Sequence, residues 1–254
     1  MRQSMLPLWR RVIFVDWQGV LSRDPFWMSI LANPKHPLRP SLEAELARIF
    51  SRDAATSHEW MKGILSSTEI ISGMKIRLDR RFRDDFLHRR LDDDCRYMKI
   101  NVELLEALRR VRGQAFVVIA TDNMDCFVRA FDYARSRARR SKKARETLNN
   151  WAAFCDDIVC SSEVGQLKSE DPVGFFGPWL SAYGLRFSDA LLIDDRADNC
   201  AAFVQQGGAV IQWKMGAGEI SQITESLDGW FQRPGADRSD ALPTLNRSDT
   251  APKL

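Results

Sequence analysis

Short apolar runs, each leading into polar residues, recur along this chain. "RVIFVD" (11–16), "AFVVIAT" (115–121), "DIVCSS" (157–162), "ALLIDD" (190–195) and "AVIQW" (209–213) are mostly continuous rather than alternating. A strand buried on both faces shows that pattern. Between the later runs the period becomes helical. "NVELLEALRRV" (101–111) sets apolar residues at helical spacing behind a capping Asn101. "ADNCAAFVQQGG" (197–208) ends in glycines that suit the positions beyond a helix. "PVGFFGPWLSAYG" (172–184) reads as helical, with Gly177 and Pro178 expected to break or restart it. Strands alternating with helices predict an α/β fold, a Rossmann-like parallel sheet core covered on both faces.

Between the first and second runs lies far more chain than a βα crossover needs. "SLEAELARIF" (41–50), "SHEWMKGIL" (57–65) and "RRFRDDFLHRRL" (80–91) read as amphipathic helices, with no convincing strand among them. An inserted α-helical cap over 23–95 accounts for this, leaving 1–22 and 96–232 as a discontinuous core. All three histidines, His36, His58 and His88, fall in the insert. His58 and His88 are expected to be exposed or partly packed there rather than to touch substrate. Trp17, Phe26, Trp27 and Trp60 are expected to pack, with Trp27, where the chain enters the insert, the better placed to line a cleft. The polar, turn-rich stretch 233–254 is expected to be a disordered tail.

Composition narrows the picture little. At 254 residues, 44% hydrophobic and 28% charged, the chain suits one large domain carrying an insert. A net charge of +3 names no partner. The five cysteines, at 95, 126, 155, 160 and 200, form no CxxC pair and no metal-ligand spacing, which suits reduced, buried thiols. No charged-then-apolar leader opens the chain, and no apolar run approaches about 18 residues. A cytoplasmic protein with no membrane partner is therefore expected; the sequence does not reveal its oligomeric state. Residues 135–145 hold seven Lys or Arg. They surround a helix rather than forming a stripe, and no aromatic is interleaved for base stacking. A solvated surface is expected there rather than a nucleic-acid site.

In doubly wound sheets, ligands bind beyond the carboxyl ends of the strands. The first run ends in Asp16 and the second in Thr121-Asp122-Asn123. The third leads through "SSEVGQLK" to Lys168, and the fourth ends in Asp194-Asp195. Three carboxylates in one place repel one another unless a cation joins them, and hard oxygen donors of this kind suit Mg2+. A lysine can hold phosphate as a point charge, and a carboxylate nucleophile can form an aspartyl-phosphate.

These motifs, "VDWQGVL", "VIATDN", Lys168 in "SSEVGQLK" and "LLIDDRADN", in this order resemble the haloacid dehalogenase-like (HAD) hydrolase superfamily. The resemblance covers roughly 11–22 and 96–213, and the helical insert after the first motif resembles its type 1 cap. It implies a Mg2+-dependent phosphatase acting on a small phosphorylated metabolite. Asp16 would be nucleophile and metal ligand, and the backbone carbonyl of Gln18 a further ligand. Thr121 and the loop beyond it, Asp122 and Asn123, would bind the phosphoryl group, although the Asp122 side chain gains no evident role. Lys168 would stabilise charge on nucleophile and phosphate. Asp194 and Asp195 would hold the metal, directly or through water, and Asn199 would support their loop.

One departure stands out. Gln18 occupies the position where family phosphatases carry an Asp that protonates the leaving oxygen. An amide cannot exchange that proton at neutral pH, and general acid catalysis is worth about 10²–10⁴-fold. The loss weighs most on alkoxide leaving groups. Alternatives are a non-catalytic phospho-ligand-binding or regulatory protein, a phosphatase of nucleic-acid ends using the basic run, and a dehalogenase. Dehalogenases tolerate a non-acid at this position but usually lack the adjacent acid pair.

Overall fold

A computed structural model describes residues 11–140 and 155–232. The expected tail, 233–254, and the end of the basic run, 141–145, lie outside them. Five parallel strands form one sheet in the order β3-β2-β1-β4-β5. They are β1 (Val12–Val15), β2 (Phe116–Thr121), β3 (Asp157–Cys160), β4 (Ala190–Asp194) and β5 (Ala209–Gln212). The expected strands are all present. β3 stops two residues short of its apolar run, because Ser161–Val164 coils into a short helix ended by Gly165 at φ 73°.

Side chains alternate across the sheet and divide the core in two. Ile13, Val15, Val117, Ile119, Leu191 and Ile193 point to one face, against Leu104, Leu108, Phe127, Phe131, Ile223 and Leu227. Val12, Phe14, Val118, Ala120 and Leu192 point to the other, against Phe175, Phe176, Trp179 and Phe203. Burial on both faces is why the strands read as unbroken apolar runs.

The helix over 172–182 is continuous, so the expected break at Gly177-Pro178 does not occur. Proline inside a helix costs about 3 kcal/mol. Phe175, Phe176, Trp179 and Leu180 are all buried from this helix, and each large apolar side chain contributes about 1.5–3 kcal/mol. Packing therefore outweighs the lost hydrogen bond. Asp171 caps the start, accepting the Gly174 N–H at 2.8 Å.

Between β1 and β2 the chain is helical: Met28–Leu31, Arg39–Ala47 running into a π-helical turn at Arg48–Arg52, Ala54–Met61, Ser67–Gly73 and Phe86–Arg96. Inserted helical segments on a parallel Rossmann-like core are thus the observed architecture. The helix expected over 80–91 instead starts at Phe86. Asp79 competes for the backbone before it, its side chain accepting the Arg81 N–H at 2.9 Å. The helix at 67–73 was not anticipated. Its start is a reciprocal cap, in which Ser66 Oγ accepts the Glu69 N–H and Glu69 Oε2 accepts the Ser66 N–H.

Trp27 packs, as expected, and is not among the residues that line the cleft. It is fully buried, its indole N–H donating to the Leu87 carbonyl at 2.8 Å. Trp17 and Trp60 are buried as expected. All five cysteines are free and buried. No helix among the described residues is long and apolar enough to cross a membrane.

Candidate active site

The sheet order reverses direction at β1, with β2 and β3 on one side and β4 and β5 on the other. A crevice opens beyond the strand ends at such a switch point. Val15 pairs with Ile119 and Ile193 in register. One residue past Val15 and Ile193 come Asp16 and Asp194. The Asp16 N–H donates to the Ile193 carbonyl at 2.9 Å, which pins the backbone there.

Lys168 joins the strand ends. Its Nζ lies 2.9 Å from Asp16 Oδ1, donates to Asp194 Oδ2 at 2.6 Å, and donates to the Ala120 carbonyl at 3.2 Å. The lysine is 1% exposed, Asp16 5% and Asp194 0%. Burial alone would lower the Lys168 pKa, but Asp16, Asp194 and Asp122 outweigh it and hold the ammonium protonated. The Asp16 carboxyl is raised to about 7, chiefly by burial, with Lys168 opposing the rise and Asp194 adding to it.

Oxygens of Asp16, Asp194 and Asp195 all lie within 4.8 Å of one another. This cluster can coordinate a divalent metal. Asp195 is the more open of the acid pair, and burial raises its pKa with Asp194 adding to the rise. Asp194 is held on two sides: Asn199 Nδ2 donates to its Oδ1 at 3.2 Å and its Oδ2 at 3.1 Å, and the Arg196 N–H donates to Oδ1 at 2.9 Å. Gly19, at φ 85°, turns the chain after β1 hard against Asp195. The Gly19 N–H donates to the Ser22 carbonyl at 2.7 Å, closing that turn.

The other expected residues divide. Thr121 Oγ1 is buried with no hydrogen-bond partner. Asp122 faces the cavity, but its Oδ1 accepts the Lys168 N–H at 3.0 Å, so it braces the lysine's backbone. The Asn123 N–H is already donated to Ser161 Oγ at 2.9 Å. The Asn123 backbone therefore frames the loop, while the residue itself lines the cavity. Gln18 is exposed and lines the cavity. His58 sits 3.7 Å from Glu170, outside the residues that line the cavity.

A cavity of about 720 Å³ lies above these groups, between the core and the insert. Phe26, Leu46, Phe50 and Met61 form its roof, while Arg23, Arg196 and Lys214 stand at its edge. None of the last six, from Leu46 onward, was singled out from sequence. Lys214 carried a readable signal, because it follows the fifth apolar run as Asp16 follows the first. An apolar residue on an amphipathic helix looks the same whether it faces a core or a cavity, so Leu46, Phe50 and Met61 carried none.

No family model matches the sequence, and no curated protein matches it. Solved structures do. A protein of Porphyromonas gingivalis described as a predicted HAD-like family hydrolase is 17% identical, covering 85% of this chain and 97% of that one, with a TM-score of 0.57. A HAD family enzyme of Bacteroides thetaiotaomicron, solved with magnesium and inorganic phosphate, is 15% identical over 84% of this chain and 98% of that one, TM-score 0.54. A 2-haloacid dehalogenase of Pseudomonas syringae is 15% identical over 87% and 99%, TM-score 0.51. The chain thus has the fold of HAD-superfamily hydrolases with a type 1 cap, and at the switch point of that fold it carries an aspartate cluster.

Proposed function

We propose that this chain is a Mg2+-dependent phosphatase acting on a small phosphorylated metabolite through an aspartyl-phosphate on Asp16. The observation that carries the reading is the convergence of three carboxylates and one buried lysine beneath a cavity. The donor set fits a hard cation. It is all oxygen, and ligands on opposite sides of Mg2+ stand about 4.2 Å apart, twice its bond length. One lysine leaves two of the three carboxylate charges unbalanced. Asp16, Asp194 and Asp195 would hold the ion, with the Gln18 carbonyl as a further ligand. When bound, the ion would neutralise charge on the phosphoryl oxygens and beside the nucleophile. The Bacteroides enzyme, solved with magnesium and phosphate, offers a structural parallel for that ligand pair.

The chain's own residues supply the rest. Asp16 attacks phosphorus and the ester oxygen leaves; water then attacks the aspartyl-phosphate, releasing phosphate and restoring the carboxylate. Lys168 stays charged beside Asp16 throughout and offsets the negative charge gathered there. Thr121, at the end of β2, is assigned to the phosphoryl group; its Oγ1 is buried with no hydrogen-bond partner and lies outside the residues that line the cavity. Asn199 and the Arg196 N–H keep Asp194 aimed at the cluster. Gln18 offers polarity but no proton, so leaving groups of low pKa are favoured. A phosphate-release screen over a panel of phosphorylated metabolites, with and without Mg2+, tests this. Mg2+-dependent release is expected; its absence across the panel would count against the reading.

Gln18 itself favours a second reading, a phospho-ligand-binding protein that does not turn over. In that case phosphate or a metabolite binds with Mg2+ and no phosphate is released. The dehalogenase alternative has similar folds behind it, but the Asp194-Asp195 pair beside Asp16 suits a metal that dehalogenation does not need. A cytoplasmic setting and a small-molecule rather than nucleic-acid substrate complete the proposal.

A further inference from the structure

The cavity's floor, roof and edge differ in chemistry. The floor holds the carboxylates and Lys168. The roof comes from the insert and is apolar: Phe26, Leu46, Phe50 and Met61. Phe50 is 41% exposed despite its size. Phe26 and Phe50 both lean on the buried Trp60, with ring centroids 6.2 and 6.1 Å away. Trp60 is itself fixed, its indole N–H donating to Ser67 Oγ at 3.2 Å. The aromatic roof is therefore held in place.

The edge is basic. Arg23 lies on the loop after β1 and Lys214 on the loop after β5. Both are exposed, and neither makes an ion pair within 4.0 Å among the described residues. Lys214 feels the Asp195 carboxylate without bonding to it. The Met215 N–H donates to the Gly19 carbonyl at 2.8 Å, tying the two loops together. The Arg23 guanidinium lies against Gly216, where an added Cβ would stand 2.9 Å from Nη2. The two cations therefore share one side of the mouth. Arg196, the third cation there, is already paired with Asp198 at 2.5 Å.

Charge counting separates the edge from the floor. Asp16, Asp122, Asp194 and Asp195 contribute four negative charges, and Lys168 with a divalent ion contributes three positive. Arg23 and Lys214 are not part of that count; they stand at the mouth. Building on the phosphatase reading, we infer that the substrate is a phosphomonoester with an apolar, ring-bearing body under Phe26 and Phe50 and a second anionic group held by Arg23 and Lys214.

The test uses phosphonates, which have no ester oxygen to release and so report binding whether or not the protein turns over. Methylphosphonate, phenylphosphonate and 4-carboxyphenylphosphonate are titrated calorimetrically into the full chain with Mg2+. The phenyl ring should tighten binding about ten-fold over methyl, and Phe50→Ala should erase most of that gain. The carboxylate should add about ten-fold more, the span of 1.4 kcal/mol. That second ratio should fall toward one in the Arg23→Ala/Lys214→Ala double variant and persist in Lys214→Arg. Equal affinity of the phenyl and carboxyphenyl probes, or a ratio that survives the double substitution, would overturn the inference. Phenyl phosphate, run alongside, separates the two claims. No phosphate release with both affinity ratios intact would reject the phosphatase reading and keep the ligand class. Release with flat ratios would do the reverse. No binding of any phosphonate would overturn both.

Discussion

Gly19→Ala probes how closely the turn after β1 and the aspartate cluster fit. At φ 85° the residue occupies left-handed backbone, where a side chain costs about 1–2 kcal/mol. For a domain of this size each kcal/mol shifts Tm by about 2–4 °C, so a fall of about 2–8 °C is expected. The new Cβ would stand 2.4 Å from Asp195 Oδ2 and 2.7 Å from its Cγ. Ordinary contact begins near 3.5 Å, so the carboxylate must move by about 1 Å. Mg2+ tolerates little departure from bonds of about 2.1 Å in octahedral array. Mg2+ affinity should drop about 10–100-fold, the usual cost of disturbing a ligand's support. Mg2+ titration by calorimetry, with thermal melts in parallel, measures both effects. Gly113→Ala is the control, since Gly113 has φ 105° but open space around it. It should lose stability and bind Mg2+ as wild type does. Wild-type Mg2+ affinity in Gly19→Ala, or an equal loss in Gly113→Ala, would refute the reasoning.

Three further outcomes follow from the same geometry. Gln18→Asp should raise turnover of alkyl phosphates more than of activated ones, by at most about 10²–10⁴-fold; a rate series over leaving-group pKa checks this, and an unchanged flat slope would mean another group supplies the proton. Lys168→Met leaves Asp16 and Asp194 buried without their shared cation, which should cost about 3–5 kcal/mol in urea unfolding without Mg2+, with part regained on adding it; an unchanged midpoint would contradict the ion-pair account. Gly63→Ala would bring a Cβ to 2.1 Å from the Ser162 carbonyl at φ 69°, straining the contact where Ser161 Oγ donates to the Met61 carbonyl at 2.7 Å. About 2 kcal/mol or more of stability should be lost, and a wild-type melt would show that the insert does not depend on this seat.

The sheet was legible because strands buried on both faces leave runs such as "VIFV" and "ALLID" with no polar interruption. The cluster was legible for a related reason. Parallel strands in register bring their carboxyl ends together, so Asp16 and Asp194 meet although 178 positions separate them in the numbering. Lys168 was harder, since it lies on a loop and reaches the cluster only through its long side chain. The insert was read in outline. Its helix at 67–73 is set by the Ser66–Glu69 cap rather than by a strong apolar stripe, and the one at 86–96 is delayed by the Asp79 turn. Pro178 does not break its helix because its local cost, which the sequence shows, is exceeded by four buried side chains, which only the fold shows. Phe50 and Met61 could not be read at all, because only the tertiary fold decides whether an apolar side chain meets a core or a cavity.

The central claim is that Asp16 is a nucleophile in a metal-dependent phosphoryl transfer. The most direct measurement is phosphate release from an activated aryl phosphate by wild type and Asp16→Asn, each with Mg2+ and with chelator. The account predicts release by wild type only with Mg2+, and none by Asp16→Asn under either condition while that variant remains folded. Release that persists in Asp16→Asn, or that ignores chelation, would contradict it.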